Sequence, residues 1–100
     1  MNEKIRVSVD PDLEDLIPGF LENRKKDLQS LRLAMTAADL VTLQSIGHSL
    51  KGVGGGYGFN GMSEIGADIE RNAKSGSIGE IGGQVEKLAD YLERVEIVYE

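Results

Sequence analysis

The sequence predicts an all-α fold: an antiparallel, up-down-up-down four-helix bundle preceded by a short N-terminal helix. Three observations carry this reading. Apolar residues recur at three- and four-residue steps through most of the chain. Aromatic residues make up only 5% of the composition and Trp is absent, so the core must come from Leu, Ile, Val, Ala and Met, which suit helix packing. The breaks between periodic segments are short, which favours antiparallel neighbours. At 100 residues the chain is the size of one domain, and it shows no internal repeat or low-complexity tract.

Taken in order, "IRVSV" at residues 5–9 alternates apolar and polar side chains, as a short strand does, but has no evident partner. Residues 1–9 therefore read as an extended arm and 10–100 as the bundle. Asp10 followed by Pro11 resembles an N-cap with proline at the first helical position. "PDLEDLI" then forms a short helix, ended or kinked by Pro18-Gly19. From Phe20 to about Ala38, the residues Phe20, Leu21, Leu28, Leu31 and Met35 mark a long helix that turns at Ala37–Asp39. The next helix starts near Asp39. Its seam of Leu40, Leu43, Gly47, Leu50, Gly54 and Tyr57 is spaced 3-4-3-4-3. Gly58–Gly61 reads as a turn. Met62, Ile65, Gly66, Ile69 and Ala73 mark a third helix that ends at Ser75-Gly76. Ser77 and Glu80 have capping-box spacing. Ile78, Ile81, Val85, Leu88, Leu92, Val95 and Tyr99 then place a last helix through Tyr99. Gly82-Gly83 should weaken its start by roughly 1 kcal/mol each, so its well-formed part is predicted from about Gln84.

The net charge of −6 argues against nucleic acid and against an anionic membrane surface as partners. No apolar run is long enough to span a bilayer, and no signal-peptide pattern opens the chain. The absence of cysteine excludes disulfides and thiolate sites, the single histidine argues against an ordinary zinc site, and no metal site is expected. The expectation is a cytoplasmic, monomeric domain.

The stretch "IGHSLKGVGGGYGFNG" (46–61) holds that histidine, His48, and seven of the chain's 13 glycines. On a helical wheel the apolar positions of residues 40–57 fall within an arc of roughly 140°, and His48 lies about 140° from its centre. It therefore points outward, with Gln44, Lys51, Gly52 and Gly55 around it. A lone exposed histidine is ordinarily a solvated residue. Its neighbours argue for more. Mid-helix glycine costs roughly 1 kcal/mol against Ala, and a cluster of them beside one imidazole clears space for another macromolecule to approach. Lys51 adds a cation able to meet a phosphoryl group. Gly56-x-Gly58-x-x-Gly61 has the G-x-G-x-x-G spacing but lacks the βαβ context of a dinucleotide site, and no P-loop occurs.

His48-Ser49-Leu50-Lys51-Gly52-x-x-x-x-x-Gly58 resembles the H-x-x-K-G-x-x-x-x-x-G signature of histidine phosphotransfer (HPt) domains, and the resemblance covers nearly the whole chain. It implies a carrier in a multistep two-component phosphorelay. His48 would be the phospho-acceptor, attacking through Nε2, and Lys51 would offset the phosphoryl charge. Gly52 would leave room for the incoming receiver, and Gly58 would be the turn glycine. Glu70 falls where relatives place a Gln or Glu facing the other ring nitrogen. Read instead as an ordinary flanking charge, Glu70 pairs with Arg71 or Lys74. Gln44, Gly52, Gly55 and Gly58 are the predicted partner-binding positions. The implied partners are response-regulator receiver domains and a sensor histidine kinase, hybrid kinases included. Mg²⁺ would reside on the receiver, and the chain would have neither an ATP site nor kinase activity of its own. The alternative is a bundle of this shape that only docks a receiver or kinase domain.

Overall fold

A computed structural model describes residues 3–100. Residues 1 and 2 of the predicted arm lie outside the described residues. Strand β1 (Ile5–Val9) leads into a 3-10 helix at Pro11–Leu16. Four helices follow, α1 (Ile17–Thr36), α2 (Leu40–Gly56), α3 (Asn60–Lys74) and α4 (Ile78–Arg94), and strand β2 (Val95–Tyr99) closes the chain. Asp10 caps the 3-10 helix as expected, its carboxylate accepting from the Asp12 amide at 2.9 Å. Pro18 sits in the first turn of α1, where its missing N–H leaves no bond unmade. It begins the long helix rather than ending the short one.

The three corners between helices share one device. Ala38, Gly58 and Gly76 each take a left-handed φ, of 52°, 88° and 75°. In each corner the next amide reaches back to the last turn: Asp39 to the Ala34 carbonyl at 2.9 Å, Phe59 to Gly54 at 2.7 Å and Ser77 to Asn72 at 2.8 Å. These are Schellman closures, in which a residue of positive φ satisfies the orphan carbonyls of a helix end. Sequence patterning finds the two glycine corners readily. At Ala38 the same geometry is held by a residue with a Cβ, against a steric penalty of about 1 kcal/mol. Ala38→Gly should therefore raise Tm by several degrees, measured by thermal unfolding followed by circular dichroism. A fall in Tm would show that Ala38 is not strained. Asp39, next in the chain, caps α2, accepting from the Thr42 amide at 3.1 Å and the Thr42 hydroxyl at 2.6 Å.

The core is mainly the predicted aliphatic one, with Phe20, Tyr91 and, from the predicted turn, Phe59 added to it. Leu31, Leu43, Leu50, Phe59, Met62, Ile69, Ile81 and Leu88 are fully buried and join all four helices. α4 differs from expectation at both ends. It is helical from Ile78 straight through Gly82-Gly83, because burial of Ile81 and Val85 outweighs the weak local propensity. Ser77 does not form a capping box; its hydroxyl meets that of Ser75 at 2.9 Å. The helix stops at Arg94. Val95–Tyr99 pairs in parallel with Ile5–Val9, in the register Ile5↔Val95 through Val9↔Tyr99. The N-terminal segment thus has a partner strand at the opposite end of the chain. Val7 and Val9 are buried beneath the helices, while Ser8 faces out and bonds the Glu100 carboxylate at 2.8 Å. Gly61 belongs to α3 rather than to the turn, and a Cβ there would fall 2.7 Å from the Tyr91 ring.

α2 and α3 approach each other closely through facing glycines. A Cβ on Gly47 would stand 2.7 Å from the Glu70 amide nitrogen and 2.9 Å from the Gly66 carbonyl oxygen. One on Gly66 would stand 2.5 Å from the Lys51 nitrogen and 2.7 Å from the Gly47 oxygen. Backbone meets backbone here, which sets the site described next.

Candidate functional site

His48 lies near the middle of α2 on its outward face, with 70% of its side chain exposed. Behind it, Glu70 projects from α3 and is buried, at 8% exposure. Glu70 Oε2 lies 2.9 Å from His48 Nδ1. Its Oε1 lies 3.0 Å from Lys51 Nζ, and Oε2 is 3.8 Å from Lys74 Nζ. One buried carboxylate thus gathers the imidazole and two ammonium groups, from α2 and from its own helix. Arg71 is not among them; it pairs with Asp68. Glu70 thus faces the imidazole and also lies within ion-pair distance of Lys74, from a buried rather than an ordinary flanking position.

Lys51 donates to Glu70 and thereby holds its carboxyl below the ordinary value of 4.5. Desolvation opposes this, and the His48 bond and the charges of Lys51 and Lys74 add to it. Glu70 is then an anion with only acceptor capacity, so the proton of its bond with the imidazole sits on His48 Nδ1. In the neutral ring, Nε2 carries the lone pair. An exposed imidazole fixed in this tautomer is a nucleophile with one defined attacking nitrogen.

The sign of the pH effect follows. A carboxyl that titrates lower in the folded chain than in the unfolded one stabilises the fold above the unfolded value. That contribution is lost as the pH falls through the folded value, below 4.5. Lys51→Met should move the Glu70 titration upward, as read by carbon-detected NMR of its carboxyl. An unmoved titration would mean that the lysine does not bond there in solution.

The surroundings match the wheel in most respects. Val41, Gln44, Ser45, His48 and Glu70 line one open hollow of about 450 Å³. At Gly52 nothing stands within 4 Å of where a Cβ would be, so the surface next to Lys51 is bare. Gly55 is exposed but not bare in that sense, since a Cβ there would touch the Ser63 hydroxyl at 3.6 Å. Gly58 stands apart from the group. It lies ten residues beyond His48, roughly 15 Å along a helix axis, in the left-handed corner beside Ser8 of β1.

Two contributors had no site role in the sequence reading. Ser63 donates to the Lys51 carbonyl at 2.8 Å, tying α3 to the turn that carries the lysine. Gly66 is the partner of Gly47 in the close crossing. Its place on the α3 seam, facing the small positions of α2, was the available signal.

Comparison with curated proteins and with solved structures returns no match. The Hpt domain family matches residues 15–97, which takes in all four helices from α1 to α4, together with the last two residues of the 3-10 helix and the start of β2. Domains of this family are phosphotransfer modules of two-component phosphorelays. They work with receiver domains and kinases, and they carry phosphoryl groups without kinase activity of their own. With that match spanning more than half of its length, the chain belongs to the histidine-containing phosphotransfer (Hpt) domain family.

Proposed function

We propose that this chain carries a phosphoryl group on Nε2 of His48 between receiver-domain aspartates in a multistep two-component relay. The observation that supports it best is the 2.9 Å contact of His48 Nδ1 with Glu70, which leaves Nε2 as the free nitrogen. A phospho-aspartyl receiver docks over Gln44, Lys51, Gly52 and Gly55. The Nε2 lone pair forms the N–P bond in line as the P–O bond to the aspartate breaks, and the aspartate departs as a carboxylate with that electron pair. The Nδ1 proton stays in its bond with Glu70, so the phosphorylated ring keeps a counter-charge. Lys51, within 3.0 Å of Glu70 at rest, turns its ammonium toward the phosphoryl oxygens. Return to a second receiver reverses these steps. Mg²⁺ enters with the receiver, so this chain's part is positioning and access. A sensor histidine kinase, alone or as a hybrid, feeds the relay. We read the bundle as an antiparallel, up-down-up-down unit of residues 10–100 acting in the cytoplasm, a topology that its three-residue connections favour.

The test is transfer from phosphorylated receivers of the source organism. Acid-labile, alkali-stable phosphate should appear on the chain and map to His48, and ATP with Mg²⁺ alone should give no label. A chain that binds receivers but takes no label would be a docking module instead. Gly52→Gln separates access from folding. It should stabilise α2 by about 0.5 kcal/mol through helix propensity while slowing transfer by at least about tenfold, a barrier increase of roughly 1.4 kcal/mol. Unchanged transfer rates would remove the access argument for that glycine.

A further inference from the structure

We propose that Val41 selects among receiver domains, favouring those that present an apolar side chain beside their phospho-aspartate. This rests on the receiver-docking reading above and names the chemistry of the partner at that same site. Among the described residues three large hydrophobic side chains stand exposed: Leu16 at 53%, Leu33 at 73% and Val41 at 80%. Leu16 and Leu33 line hollows that do not include His48. Val41 shares its hollow with His48 and Glu70.

Neither local structure nor the core accounts for a valine there. A β-branched residue is a poorer helix former than most, and at 80% exposure it adds almost nothing to the interior. Its place on α2 fits a docking role. It precedes His48 by seven residues, two helical turns, which puts it on nearly the same face at a distance of about 10 Å. The space between them is lined by Gln44 and Ser45, so an apolar point and a reactive nitrogen flank a polar floor. Any domain that brings an aspartyl phosphate to Nε2 covers this hollow and buries Val41. A partner with an apolar group at that distance gains by the burial, whereas one with a charge there loses hydration without a counter-ion. A single small anchor of this kind discriminates between partners by affinity and leaves the in-line step alone.

The experiment measures KM and kcat for transfer to wild type, Val41→Thr and Val41→Asp from a panel of phosphorylated receivers. Folding is checked by urea unfolding. Asp in the first turn of a helix is favoured by the macrodipole, so the variant should fold. Labelling of His48 by phosphoramidate, which is too small to use a docking surface, is the reference for an intact site. For receivers with an apolar residue in the docking position, Val41→Asp should raise KM by about tenfold or more. The change in kcat should be smaller, Val41→Thr should fall between, and the rank order of the panel should change. Equal KM values for all three chains across the panel would overturn the assignment. So would a loss carried by kcat alone. If wild type takes label from phosphoramidate but from no receiver, the phosphotransfer reading itself fails, and that outcome is distinct from an inert Val41.

Discussion

Replacing His48 with glutamine is expected to abolish phosphoryl acceptance while leaving the fold in place. The chain has no second histidine to take over. A carboxamide nitrogen has no lone pair available for attack on phosphorus, so the covalent route is closed rather than slowed. The structural cost should be small. The side chain is 70% exposed, and the glutamine amide can still donate to the Glu70 carboxylate. Changes at such positions are usually within about 0.5 kcal/mol. The variant should give a urea midpoint close to that of wild type, bind a receiver, and show no acid-labile label after incubation with the phosphorylated receiver. Retained label would move the acceptor away from His48 and undo the mechanism proposed above.

Gly66→Val should produce the largest loss of stability of any single change discussed. Its Cβ would stand 2.5 Å from the Lys51 nitrogen and 2.7 Å from the Gly47 oxygen, and both are backbone atoms that yield only if a helix moves. Overpacking of a well-filled interior costs about 1–3 kcal/mol and more when no flexible side chain can give way. A cost of about 3 kcal/mol would lower Tm by more than about 10 °C in a domain of this size. The same displacement pulls Glu70 from His48, so the Nδ1 resonance in nitrogen NMR should also lose the signature of its bond. Gly83→Ala is the control. It lies in α4 with nothing within 4 Å of a new Cβ, and it should gain up to about 1 kcal/mol from helix propensity. If the two variants had the same stability, the glycine crossing would not be the close contact described here.

The contrast between these glycines marks how much of the site a reader of the sequence could see. Periodicity alone separates Gly47 and Gly54, on the seam, from Gly52 on the open face, because a helix repeats every 3.6 residues whatever it packs against. The same regularity points His48 outward and puts Gln44, Lys51 and Gly52 around it. Glu70 is legible only as a candidate, since the wheel of α3 puts it at the edge of the apolar face without saying how close α2 comes.

The sequence by itself determined the four helices, their aliphatic core, the face that His48 occupies and the family signature around it. Each rests on local spacing, which survives without knowledge of distant contacts. Only the tertiary structure decided the ends of the chain. Val95 and Tyr99 continue the three- and four-residue steps of α4, yet a spacing of four is also two steps of a strand, with Ile97 between them. The two periods cannot be told apart over five residues. What separates them is the presence of Ile5–Val9 alongside, some 90 residues earlier, offering a ladder of backbone hydrogen bonds. Tertiary structure likewise decided the Glu70 cluster. A hydrogen bond of 2.9 Å between helices depends on how closely two backbones approach, and two facing glycines set that distance only once the helices have met.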